Sequence, residues 1–253
     1  KHKRLIINMS EPVLLNFEKH GKLCLSEPKD FTSHKAENFV PVVFQEFYEL
    51  ATEFPLVFIR NKKTGDFVPG AMMGLSKGVN LYCQTLEWQP VFIPASFTLA
   101  PLSVSRLDPD SNEADISIDE QSPLLSETVG EPLYRSDGLP TEYLNKRIDH
   151  VVRVTQQSVQ AIALCRYLAE KRLLTSRPLK LQHTESSPKY EVEGMYMVDE
   201  DALEKLSNDE FQELRERGLL PLIYSHLTSL QQLGRLTHLQ HAADLAKETS
   251  KVT

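Results

Sequence analysis

The stretch Tyr190–Gly218, YEVEGMYMVDEDALEKLSNDEFQELRERG, constrains the fold of this 253-residue chain more than any other. Apolar and polar residues alternate from Tyr190 to Val198, which predicts a strand. Asp199 stands at the N-cap of a short helix containing Ala202–Leu206. Ser207 and Glu210 make a Ser-x-x-Glu capping box, in which each side chain satisfies a backbone N–H at the start of the next helix. Gly218 is placed to end that helix in a left-handed conformation. Strand, helix and helix follow from these spacings, and none of them demands a reacting group.

The same reading extends along the chain. Residues 1–38 are polar and irregular, with room for one or two strands and a loop. Pro41 suits the first turn of a helix whose stripe is Val43, Phe44, Phe47, Leu50, Ala51 and Phe54, and Pro55 ends it. Leu56–Arg60 and Phe67–Leu75 predict a hairpin about Asn61–Asp66, with Gly65 in its left-handed position. Gly78–Asn80 predicts a further turn and Asn80–Thr85 a third strand. Residues 86–102 carry Pro90, Pro94 and Pro101 and are expected to be extended but not a central strand. Ile116–Asp119 is a short strand candidate. Thr141 caps the longest helix, which runs to about Leu174, with Leu144, Ile148, Val151, Ile162 and Cys165 on one stripe. Lys180–His183 and Glu191–Val198 form a strand pair, then Pro221 opens a late helix that Gly234 breaks. The fold class is α+β: an antiparallel β-meander packed by helices, one long central helix and a helical C-terminal third. One domain over 1–253 is expected, with a subdivision into a mainly β part, 1–135, and a mainly helical part, 136–253.

Composition narrows the function classes. At 41% hydrophobic the chain can bury a substantial core, and a net charge of −7 argues against a nucleic-acid binder despite the small basic group Lys1, Lys3 and Arg4. No apolar run approaches the ~18 residues that cross a bilayer, so no membrane insertion is expected. Asn8, Ser10, Glu11 and Pro12 interrupt any secretory apolar region, which predicts a cytoplasmic protein. Cys24, Cys83 and Cys165 are odd in number and far apart, as in a reducing compartment.

Four groups of residues are candidate sites. Asp108, Asp110, Asn112 and Asp119 fall at calcium-loop positions, but Glu113 replaces the turn glycine, Asp115 an apolar residue, and Pro109 stiffens the start. A solvated acidic loop is the expectation. Thr155 and Ser158 lie on the apolar stripe of the long helix beside Gln156, Gln157 and Gln160. A buried hydroxyl there wants a partner, either a ligand or the carbonyl four residues back. His238 and His241 share a helix face without the further ligands a zinc site needs, so no metal is expected. His226 reads as a satisfied core or interface histidine. The carboxylates Asp199, Glu200 and Asp201 suit a helix N-terminus better than acid–base chemistry. No Gly-rich phosphate loop, nucleophile elbow or Cys–His pair at a family spacing occurs, so no catalytic residue and no cofactor is assigned.

Val40-Pro41 with Glu46-Phe47, then Phe54-Pro55-Leu56-Val57-Phe58, open a series of landmarks. Gly74-Leu75, Gly78, Asn80-Leu81, Trp88, Ile93-Pro94-Ala95, Ile118-Asp119 with Ser122, Thr155-Gln156 and Gly194–Glu200 continue it. In this order they resemble the SapC-like family of bacterial proteins, distinct from the peptide-transporter permease of the same name. The resemblance implies a role linked to surface-layer formation or export, and to loci for outer-membrane nutrient uptake.

Three readings follow, one of them a structural surface-layer component that self-assembles in an ordered array. The first is a soluble accessory or binding protein of such systems acting through a protein partner, with a homodimer also allowed. Trp88, Phe92 and Phe97 in the proline-rich stretch are its interface candidates, since aromatic residues anchor interfaces; simple core packing is the alternative for Trp88. The second is an enzyme or small-molecule-binding domain with a pocket between the sheet and the long helix, lined by Asp119, Thr155, Gln156 and Tyr196.

Overall fold

The hairpin expected at Leu56–Arg60 and Phe67–Met72 forms the centre of the larger sheet, in the computed structural model that describes residues 12–85, 87–108 and 114–252. The chain divides into two compact units, Lys1–Lys29 with Phe97–Gln156, and Asp30–Ser96 with Gln157–Thr253. The units interleave in sequence, and their boundaries lie elsewhere than at 135/136. The basic residues Lys1, Lys3 and Arg4 and most of the acidic loop, Pro109–Glu113, lie outside the described residues.

In the larger unit the sheet runs in the order Leu174–Ser176, Met195–Val198, Leu56–Arg60, Phe67–Met72, Phe39–Pro41, antiparallel throughout. The turn between the two central strands is as expected: the Asn61 side chain accepts from the amides of Lys63 and Thr64, and Gly65 has φ of +79°. Pro41 is a correction. It ends an edge strand, where a residue without an N–H is tolerated, and the helix begins only at Phe44–Glu46 and continues as Phe47–Leu50. Its stripe is nevertheless buried, with Val43, Phe44, Phe47, Leu50 and Phe54 all in the core.

Asn80–Thr85 is also a correction: it forms turns, and Phe39–Pro41 takes the place expected for a third strand. A Cβ on Gly74 would run into the carbonyl oxygen of Val79, so the turn at 74–80 closes only over glycine.

The expected strand Tyr190–Val198 is split in two. Gly194, at φ +78°, turns the chain between Lys189–Val192, which pairs with Leu179–Gln182, and Met195–Val198, which enters the main sheet. Asp199 caps the helix Glu200–Glu204, its Oδ1 accepting from the Ala202 amide at 3.1 Å. The capping box at Ser207 opens the helix Asn208–Glu216, and Gly218 is left-handed at φ +68°. Leu219–Ser229 and Gln232–Val252 follow; the break falls at Leu230–Gln231, and Gly234 lies inside the last helix.

The smaller unit holds two three-stranded antiparallel sheets. One runs Val13–Leu14, Ala114–Ile118, Leu102–Leu107, the other Leu125–Ser126, Cys24–Leu25, Glu131–Pro132. Their core is Leu25, Leu102, Ile118, Leu133, Leu144 and Val151. The last two come from the long helix, Glu142–Glu170, which passes through the unit boundary at Gln156. Its Thr141 cap accepts from the Leu144 amide. Arg147 ties this helix to the Pro101 turn, one guanidinium nitrogen donating to the carbonyls of Thr98 and Ala100 at 2.8 and 3.0 Å. No helix of the described residues is long and apolar enough to cross a membrane.

Candidate functional site

Two glutamates flank the short helix Phe47–Leu50: Glu46 at its N-terminal end and Glu53 in the turn that follows it. Both accept hydrogen bonds from the backbone of the proline-rich segment. Glu46 takes the Ala95 amide on Oε1 at 2.6 Å and the Val43 amide on Oε2 at 3.0 Å. Burial pushes its carboxyl above the usual range, opposed by those two N–H bonds. Glu53, 7% exposed, takes the Val91 amide on Oε1 at 2.7 Å, and its other oxygen meets the Arg235 guanidinium at 3.2 Å. A carboxylate accepting from N–H groups in a low-dielectric setting makes the stronger class of hydrogen bond.

Trp88 holds the start of the same segment. Its ring lies 5.3 Å from Phe31 in an edge contact, 6.1 Å from Phe54 and 6.3 Å from Tyr82. Phe92 is half-buried, whereas Val91 is 79% exposed and Ile93 42%. Phe97, at the far end, is buried and belongs to the smaller unit. The segment is thus an ordered, solvent-facing ridge on the larger unit. Glu46 appears among the sequence landmarks, but nothing local reveals its role; two glutamates at helix spacing i, i+7 beside a buried stripe are the only signal.

The residues expected to line a pocket are distributed over both units. Asp119 belongs to the smaller one, where its Oδ1 accepts from the Gln121 amide and its own amide donates to the Pro101 carbonyl. The hairpin pairs Leu107 with Ala114 at one end and Leu102 with Ile118 at the other. Asp119 is therefore roughly 15 Å or more from the loop at Asp108, a full strand length away, and cannot join a calcium loop with it. Thr155, half-buried in the same unit, donates its hydroxyl to the Val151 carbonyl at 2.8 Å, the back-bonded arrangement. Gln156 is half-buried beside it.

Tyr196 belongs to the larger unit and lines a shallow depression of about 350 Å³ with Arg60, Asn61, Lys62, Gly65 and Gly194. Its ring meets Phe67 edge-on at 4.8 Å, and the Arg60 guanidinium sits 5.8 Å from the Phe67 ring centre.

His238 and His241 gather a third imidazole, His183, at 4.8 and 5.4 Å between ring centres. Among the described residues no group of three or more His, Cys, Asp or Glu side chains is placed to hold a metal ion. The cysteines are free, and burial pushes the thiols of Cys83 and Cys165 up to about 12.

A family model described as SapC matches residues 15–236. No curated protein and no solved structure matches the chain.

Proposed function

The chain belongs to the SapC family, and from that premise we propose that it is an accessory or binding protein acting through a protein partner. The observation that carries this reading is the ridge at Val91–Pro94, where two apolar side chains face solvent on a backbone that is already ordered. Association costs free energy for every loop and side chain it has to order. Pro90, Pro94, and the amide contacts of Glu46 and Glu53 remove much of that cost in advance. In this reading Trp88, packed on Phe31, Phe54 and Tyr82, supports the ridge, while Val91 and Ile93, with Phe92 between them, make the contact. The family resemblance, through its name and the loci of its members, supports a partner from bacterial surface-layer or outer-membrane nutrient-uptake systems.

The test is affinity capture from the source bacterium with the wild-type chain and a Val91→Asp/Ile93→Asp variant of unchanged circular dichroism. A protein retained stoichiometrically by the wild type and lost with the variant is the expected result. Equal retention by both, or no stoichiometric companion for the wild type, would overturn the reading.

A further inference from the structure

The depression beside Tyr196 has a chemistry of its own. Its rim is a β-turn locked by four contacts: Asn61 Oδ1 with the amides of Lys63 and Thr64, the Gly65 amide with the Asn61 carbonyl, and the Asn61 amide with the Asp66 carbonyl. Arg60 stands at the end of its strand, directly opposite Phe67 in register. The Phe67 ring supports its guanidinium, and its Nε donates to the Gly65 carbonyl at 3.3 Å. A guanidinium held in this way keeps its outer N–H groups available in a fixed orientation.

Lys62 supplies a second cation to the lining and has no ion-pair partner among the described residues. The Tyr196 phenol has no hydrogen-bond partner among them either and adds a neutral donor. No carboxylate lines the depression. The nearest acid of the turn, Asp66, is engaged by Arg166, whose Nε lies 2.6 Å from its Oδ1. Gly194 leaves the far wall open, since a Cβ there would meet nothing within 4 Å. In a chain of net charge −7 this is a local concentration of unneutralised donors.

We propose that this depression is a binding site for a small oxyanion, a carboxylate or phosphate group, received by Arg60, Lys62 and Tyr196. The site is independent of the ridge at Val91–Pro94. It accepts one anionic group with its substituent directed outward over Gly194. Being open to water, it binds weakly, in the millimolar range, and weakens with salt.

The experiment is a titration of the full chain followed by ¹H–¹⁵N correlation spectra, with sodium phosphate and, separately, sodium succinate, at ionic strength held constant with sodium chloride. The Gly65 and Gly194 amides report on the site. Saturable shifts of both with at least one anion are expected; the anion that saturates names phosphate or carboxylate as the ligand group. Lys62→Gln, at an exposed position, and Arg60→Gln/Lys62→Gln should each weaken binding, the double variant by about tenfold or more. Lys63→Gln, outside the lining, should leave it unchanged. Linear shifts shared with chloride, or saturation that Lys62→Gln leaves intact, would overturn the proposal.

Discussion

The backbone amide of Val198 donates to Nε2 of His226 across 3.0 Å, at a point where two neighbouring strands have stopped pairing. Met195 faces Ile59 and Tyr196 faces Phe58; two residues further the same register sets Val198 opposite Leu56, but no ladder bond joins them. The imidazole of His226 fills the gap. Its Nδ1–H donates to the Leu56 carbonyl at 2.8 Å, and Ser229 Oγ, one turn on, accepts from the Leu56 amide at 2.9 Å. One helix thereby completes the hydrogen bonding of two buried strand ends.

This role requires a neutral ring. Burial pushes the His226 imidazole down to about 4, with the Leu56 bond a smaller opposing influence, whereas an unfolded histidine titrates near 6.5. Its contribution is therefore fully present above pH 6.5 and is lost as pH falls towards 4, by about 3 kcal/mol in all. Urea unfolding at a series of pH values should show this fall in the wild type. His226→Asn should start lower at neutral pH and show a flatter dependence; parallel curves for the two proteins would exclude His226 as the source.

Glu46 and Glu53 predict a site-specific effect on the ridge. Glu53→Ala should strip hydrogen-exchange protection from the Val91 amide, and Glu46→Ala from the Ala95 amide, each at a stability cost of about 1–3 kcal/mol. Glu53→Ala also leaves Arg235 without this partner. If both amides stay protected in both variants, proline stiffness and the Trp88 contacts order the ridge by themselves.

Two glycines in one turn should respond differently to alanine. Gly78 has φ of +78° with open space around it, so Gly78→Ala carries only the left-handed backbone penalty of about 1–2 kcal/mol. Gly74→Ala drives a methyl into the Val79 carbonyl oxygen, a clash with backbone that no rotamer relieves. Thermal melts should rank wild type, Gly78→Ala and Gly74→Ala in descending order. A Gly74→Ala protein as stable as Gly78→Ala would show that the turn shifts freely.

Features that depend on a few adjacent residues are legible without coordinates. The Ser207–Glu210 box, the Asp199 and Thr141 caps and the Asn61–Asp66 turn each bond within four or five positions, and each stands where the sequence places it. Helix-forming periodicity at Val43–Phe54 is also real, but Pro41 serves an edge strand that pairs with Gly70, a contact no local pattern announces. Gly194 was legible as part of a family landmark and illegible as a strand break, because alternation continues across it. In the candidate site, Tyr196 could be singled out from its landmark, whereas the use of Glu46 and Glu53 depends on amides 49 and 38 residues away.

By itself, then, the sequence determined the α+β class, the family, the long helix and the helix caps, because periodicity and capping are set within a turn or two of chain. Only the tertiary structure decided the order of the strands, the pinning of the Val91–Pro94 ridge and the burial of His226 between Leu56 and Val198. Each of these rests on satisfying buried backbone groups with partners distant in sequence. Which partners those are depends on how the elements pack, not on the propensity of any one of them.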